Sequence, residues 1–112
     1  MSGSFELSRR KSGQFHLNVL ASNRQVILTS EAYKRKQFAL TGIASVKKNA
    51  KKRDRFEKRT AKNGKHYFVL LAHNGEIVGQ SQMYAHDSSA YLGIRSVMNN
   101  APAAKVSDLT SS

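Results

Sequence analysis

Ala39-Leu40-Thr41-Gly42-Ile43-Ala44-Ser45-Val46-Lys47-Lys48-Asn49-Ala50 and Ala90-Tyr91-Leu92-Gly93-Ile94-Arg95-Ser96-Val97-Met98-Asn99-Asn100-Ala101 are one segment written twice, 51 positions apart. Ala, Gly-Ile, Ser-Val and Asn-Ala recur in register. Worked outward, the same gapless shift lays Phe5-Glu6 on Phe56-Glu57, Gly13 on Gly64, Leu20-Ala21 on Leu71-Ala72, Asn23 on Asn74, Ser30 on Ser81 and Tyr33 on Tyr84. Register kept over that distance marks a tandem duplication. It divides the chain into an N-terminal tail (1–4), a first repeat (5–50), a basic linker (51–55, Lys51-Lys52-Arg53-Asp54-Arg55), a second repeat (56–101) and a small polar tail (102–112) predicted to be disordered.

Each copy predicts the same order of elements. Phe5 and Leu7 open a strand that runs into a turn at Ser12-Gly13, or Asn63-Gly64 in the second copy. Phe15, Leu17 and Val19 then alternate with polar residues, the period of two of a half-buried strand, and Phe68 and Leu70 repeat the pattern. Asn74-Gly75 reads as a type I′ turn with two positive φ angles, and Asn23-Arg24 fills the same place less comfortably. Third strands are predicted from about Gln25 to Tyr33 and from Glu76 to Tyr84. Helices come next. Ala39, Ile43 and Val46 stand at i, i+4 and i+7, as do Ala90, Ile94 and Val97.

Asp87, Ser88 and Ser89 supply capping chemistry to the second helix. The first lacks it, and Lys34-Arg35-Lys36 crowds cations at the positive end of the helix dipole, a placement an anion would relieve. Gly42 and Gly93, inside the helices, imply close approach of helix to sheet. A copy of about 46 residues is too small to be comfortably stable alone. The prediction is therefore one two-layer α+β domain: an antiparallel sheet with two helices, from two βββα motifs about a pseudo-dyad, each completing the other's core.

Gly13-Gln14-Phe15, the run Gln25 to Tyr33, the block Gly42-Ile43-Ala44-Ser45-Val46-Lys47-Lys48-Asn49-Ala50, Asn63-Gly64-Lys65 and Gly93-Ile94-Arg95-Ser96-Val97 carry a resemblance. Over residues 5–101 the chain resembles the YegP family of small bacterial proteins. The resemblance implies two βββα motifs, single-motif relatives that pair as dimers, and no assigned activity. The chain departs from the family pattern at Arg24, where Gly is usual, at Lys34 to Gln37, and at Leu20 and Leu71, where Lys is frequent.

The 19 Lys and Arg against 7 Asp and Glu give a net charge of +12, carried by both halves. Such a surface attracts polyanions, and it also serves plain solubility by self-repulsion. Without cysteine there is no disulfide, thiolate nucleophile or Cys-based zinc site. The N-terminus lacks the pattern of a secretory signal and no apolar run approaches a membrane span, so a cytoplasmic protein is expected.

Catalytic chemistry is thin. His86-Asp87-Ser88 cannot form a triad as three consecutive residues, and Asp87 reads as a helix cap. Glu6 and Glu57 recur and could pair as acid and base across the dyad, or bind nearby cations separately. His66 and His73 point to opposite faces of one strand, and His66 reads as a half-buried sheet residue. Tyr33 and Tyr84 end equivalent strands and either pack or stack on a ligand. Neither enzyme nor cofactor is expected.

The candidate anion-binding residues are Arg9, Arg10 and Lys11; Lys34, Arg35 and Lys36; and Lys47, Lys48, Lys51, Lys52, Arg53, Arg55, Lys58 and Arg59. If these clusters share a side, they make a sequence-independent site for nucleic acid or an acidic protein. If they are scattered, they are solvated charge. The alternative is a protein–protein or self-association module that uses the apolar sheet face of Leu20, Val69 and Leu71 or an open edge. A monomer with internal pseudo-symmetry is expected, with a dimer as the other option.

Overall fold

The computed structural model describes residues 3–110. In chain order these form β1 (Ser4–Arg9), β2 (Phe15–Leu20), β3 (Val26–Thr29), α1 (Lys36–Asn49), a 3-10 turn (Arg53–Arg55), β4 (Phe56–Thr60), β5 (His66–Leu71), β6 (Ile77–Gln80), α2 (Asp87–Asn100) and β7 (Lys105–Asp108). One seven-stranded sheet runs β4-β5-β6-β3-β2-β1-β7, and all pairs are antiparallel except β1 with β7. The predicted α+β architecture of two βββα motifs is the one found.

The dyad can be located to a residue pair. β3 meets β6 through Thr29 and Gln80, which are themselves repeat equivalents, so the twofold relation passes between them. The seam is otherwise unbridged, and helices lock it: α1 packs on β2 of its own repeat and on β5 and β6 of the other, while α2 packs on β5, β2 and β3. Phe5, Leu17 and Val46 share a single core cluster with Phe68, Leu70 and Val97. Burying one repeat's apolar face on the other's is an area-proportional gain that neither could make alone.

The repeated polar residues have structural work. Among the described residues the buried polar side chains are two equivalent pairs, Ser30 with Ser81 and Asn49 with Asn100. Ser30 Oγ accepts the Leu17 N–H at 2.9 Å and donates to the Glu31 carbonyl at 2.8 Å; Ser81 repeats both contacts with Phe68 and Gln82. That side chain stands in for the ladder, so the third strands end at Thr29 and Gln80, short of the sequence expectation. Tyr33 and Tyr84 rejoin as single bridges to Phe15 and His66. At the helix ends Asn49 donates to the Ser45 carbonyl at 2.8 Å, and Asn100 to that of Ser96 at 2.7 Å.

Gly42 and Gly93 are where the helices touch the sheet's bridging tyrosines. A β-carbon on Gly42 would lie 2.5 Å from the Tyr33 hydroxyl, and one on Gly93 would run into Tyr84 and Phe68.

Three expectations are corrected. The tail is not uniformly disordered: Lys105–Asp108 adds to β1 in parallel, with Val106 beside Phe5, and the Leu109 N–H reaches the Leu7 carbonyl at 2.9 Å. The shift of 51 lays this segment on Asp54–Glu57, where the first repeat also turns into strand, and here the segment pairs along β1. Of the two tails, Met1, Ser2, Ser111 and Ser112 lie outside the described residues. The helices begin at equivalent places but neither has a side-chain cap; Asp87 is the first helical residue and its carboxylate is bound by Lys58.

The 21–25 and 72–76 turns are not type I′ either, since Arg24 (φ 73°) and Gly75 (φ 85°) alone take positive φ in them. Arg24 N–H donates to the Ala21 carbonyl and Ala21 N–H to that of Gln25, the pattern of a type I turn closed by a left-handed residue.

Arg24 therefore holds a conformation that costs an L-residue about 1 kcal/mol, against an exposed pair with Glu6 at 3.3 Å that contributes less. Arg24→Gly should raise the urea midpoint by up to about 1 kcal/mol of stability with an unchanged m-value. The dyad predicts the opposite sign elsewhere. Gly79 occupies the position equivalent to Leu28, and the buried Leu28 side chain fills the space, its atoms 2.7 to 2.8 Å from where a β-carbon would sit. Two leucines cannot share the axis, so Gly79→Ala should destabilise the fold by about 1 to 2 kcal/mol in the same assay, through overpacking.

Candidate anion-binding surface

Strand direction decides where the cations gather. Arg9 pairs with Phe15, and Phe15 bridges to Tyr33, so the Arg9–Lys11 turn and Lys34–Lys36 adjoin at one end of the first repeat's sheet. Because β6 is antiparallel to β3, the second repeat is inverted, and Phe56, the start of β4, falls at that same end. The linker 51–55 therefore borders it too. Helix α1 joins these groups, starting beside Lys34 and ending with Lys48 and Asn49 against Ala72, His73 and Asn74. From β1 to β4 there are five strand spacings, about 24 Å.

Most of these side chains are exposed and outside ion-pair distance of a carboxylate, with the exposed acids Asp54 in the linker and Glu31 before Tyr33 set among them. Arg9, Arg10, Lys11, Lys34, Arg35, Lys48, Lys51, Lys52 and Arg53 are all exposed. Among the described residues, Lys36 is the one member of this end with a carboxylate partner, Asp108 at 2.5 Å. Arg10 Nε points at His16 Nδ1 at 3.4 Å; burial, and then Arg10, hold the imidazole pKa below its ordinary value, so it accepts as the neutral base. Arg55 is anchored by Asn49 Oδ1 at 2.7 Å, and Arg53 lies 5.5 Å from the Tyr91 ring.

Three candidates are engaged by a ring or a carboxylate. Lys47 folds over the Phe5 ring at 5.8 Å. Lys58 binds Asp87 at 2.6 Å and sits 3.6 Å over Tyr91, the contact with Asp87 raising the ammonium pKa and lowering that of the carboxyl. Arg59 pairs with Glu57 at 3.0 Å.

The charge is not shared evenly between halves, a signal legible in the sequence once it is laid on itself. Arg9, Arg10, Lys11, Lys34, Arg35, Lys36, Lys48, Lys51, Lys52, Arg53 and Arg55 correspond to Thr60, Ala61, Lys62, Ala85, His86, Asp87, Asn99, Pro102, Ala103, Ala104 and Val106. Lys62 alone keeps a cation. A symmetric scaffold thus carries an asymmetric field.

Other candidates resolve into structure. Glu6 and Glu57 do not form a dyad; each binds an arginine, at opposite edges of the six antiparallel strands. His66 is half-buried, with Nδ1 4.0 Å from Asp87. Among the described residues no three His, Asp or Glu side chains form a metal-holding group, and no helix is long and apolar enough to cross a membrane. The apolar face of the alternative reading is closed, since Leu20 and Val69 are buried and Leu71 half-buried.

The model of a domain of unknown function, DUF1508, matches twice in tandem, over residues 11–57 and 61–108. Among curated relatives, the UPF0339 protein PA0329 of Pseudomonas aeruginosa is 50% identical over 108 residues (96% of this chain, 98% of the relative), and the UPF0339 protein YegP of Escherichia coli K12 is 48% identical over 110 residues (98% and 100%). The solution NMR structure of E. coli yegP, a protein of unknown function, superposes with a TM-score of 0.94 at 48% identity, covering 100% of this chain and 97% of that one. That of the UPF0339 protein SO3888 of Shewanella oneidensis gives 0.91 at 45% identity, covering 98% and 93%. The chain belongs to the UPF0339/YegP family.

The family module ends at 57 and 108, inside β4 and at the last residue of β7, which fits the reading of β7 as the second repeat's counterpart of the linker's exit into strand. Within this UPF0339 fold Asp108 ties that strand to α1. Lys36, then the Thr110 hydroxyl and amide, hold its carboxyl down at about 2. A depressed carboxyl contributes stability above its unfolded pKa of about 4 and loses it as pH falls toward the folded value. The protection factor of the Leu109 amide, which donates to Leu7, should therefore fall between about pH 4 and 2, before those of the helices, and Lys36→Ala should lower it in the same way at neutral pH.

Proposed function

We propose that this protein is a binding module for a polyanion, nucleic acid in the first place, and that it binds through the α1 end of its sheet. The single observation that carries the proposal is the uneven charge of equivalent positions. The second repeat builds the same turns, helix start and helix exit with Thr, Ala, His, Asn and Pro, so folding does not demand cations there. Gathering them on one end costs self-repulsion that a bound anion offsets. An end about 24 Å wide spans roughly seven phosphates of one strand at about 3.4 Å each. No base-reading motif accompanies it, so the expected contacts are to phosphate and independent of sequence. Non-enzymatic binding by a basic cytoplasmic protein is the reading these features support best.

The second repeat supplies the test. Replacing Arg9, Arg10, Lys34 and Arg35 by Thr, Ala, Ala and His, the residues at the equivalent positions, keeps side chains the fold already accepts. In a salt titration of a labelled oligonucleotide between about 50 and 200 mM, the wild-type chain should bind with log K falling linearly against log salt. The fourfold variant should bind more weakly, with a slope smaller by about 3, since each lost phosphate contact removes about 0.7 to 0.9. Equal affinity and slope for the two proteins would sink the proposal.

A further inference from the structure

At the centre of this basic end a recess of about 460 Å³ opens beside α1, lined by Tyr33, Lys34, Phe38, Thr41, Gly42 and Val78. Its aromatic residues differ in freedom. Tyr33 is wedged against Gly42, while Phe38, in the first turn of α1, is 50% exposed. The turn bearing Phe38 comes directly after Lys34, Arg35 and Lys36. Across the dyad the position of Phe38 is Ser89 and that of Lys34 is Ala85, so the exposed ring and the cation next to the recess occur together in one repeat and are absent together from the other.

We infer that Phe38 is a stacking surface for a base of single-stranded nucleic acid whose phosphates lie on the flanking cations. This rests on the polyanion reading above and names the form of the polyanion. Phosphate contacts do not distinguish strand from duplex. An exposed ring beside them does, because a single strand has unstacked bases to offer and a duplex does not. Sequence tolerance is a consequence, since every base has a face that stacks.

The chain has no tryptophan, so F38W places one indole at the recess and reports contact directly. The experiment titrates wild type, F38S, F38W and L92T with a labelled oligothymidylate of roughly 15 nucleotides, the matching duplex, and polyglutamate. F38S carries the residue of Ser89. L92T carries that of Thr41 on the exposed face of α2 and controls for surface change. Single-strand affinity should fall roughly tenfold in F38S and stay level in L92T. Duplex affinity should be unaffected by either, and saturating oligothymidylate should quench the F38W indole.

If salt-sensitive binding of the oligonucleotide persists with F38S unchanged and F38W unquenched, the stacking inference is overturned and the polyanion reading stands. Equal loss on single strand and duplex in F38S overturns it as well, since the ring would then support the end and not a base. Failure of all three polyanions to bind at low salt overturns both readings, and binding of polyglutamate alone assigns the end to an acidic protein.

Discussion

The sheet is continuous through one bridged pair, Thr29 with Gln80, and that single rung constrains the rest of the structure. Two strands that touch at one point cannot hold two halves together by backbone hydrogen bonds, whose net worth is about 1 kcal/mol each. The helices must do it. Each lies over strands of both repeats, so separating the halves would strip Phe5, Phe68, Leu17 and Leu70 of their cover at once. Cooperativity across the duplication comes from this crossing of helices over the seam, and the dyad forces its own exception: at Leu28 and Gly79 the two halves must differ, because equal side chains would collide on the axis.

The fold is legible because duplication prints every packing constraint twice. Gly42 and Gly93, Ser30 and Ser81, Asn49 and Asn100 stand out by recurrence, and each pair makes the same contact in both repeats. Less legible is the strand added outside the two βββα motifs. Inside the duplication, a helix hands the chain on to the next β-strand, as α1 does to β4. After α2, Lys105–Asp108 likewise turns into strand but pairs with β1 of the first repeat, and a composition of small polar residues hides it. The turn at Arg24 departs from expectation for a different reason. Asn-Gly favours type I′ only where the connection has two residues, and the hydrogen bonds here close a three-residue connection with one left-handed position.

The site is legible in part. Three runs of Lys and Arg are plain in the sequence, but their convergence is not, because it depends on β6 lying antiparallel to β3. That one orientation sends the linker before β4 to the end already occupied by Arg9–Lys11 and Lys34–Lys36. Lys47, Lys58 and Arg59 belong to the same runs and yet point elsewhere, into a ring or a carboxylate. Run length in sequence is a poor guide to a charged surface; the partner each cation finds is a better one.

An open strand edge is the usual way for a sheet protein to take a peptide or a second copy. The outer strands here are β4 and β7, and β7, which covers β1, is a short strand of exposed residues. On β4, Phe56 has its N–H on the Arg53 carbonyl and its C=O within 3.5 Å of the Arg53 guanidinium, and the next outward-facing residue, Lys58, turns a charge over the core side where its equivalent Leu7 is buried. An inward charge on an edge strand discourages pairing. With the apolar sheet face closed and β4 blunted, the packing leaves unpaired cations around α1 beside the exposed helical side chains of Phe38 and Leu40. The fold sets Asp108, Asp87, Glu57 and Glu6 against cations, three of the four pairs lying clear of the α1 end, and leaves nearly all of the cations there outside ion-pair distance of a carboxylate.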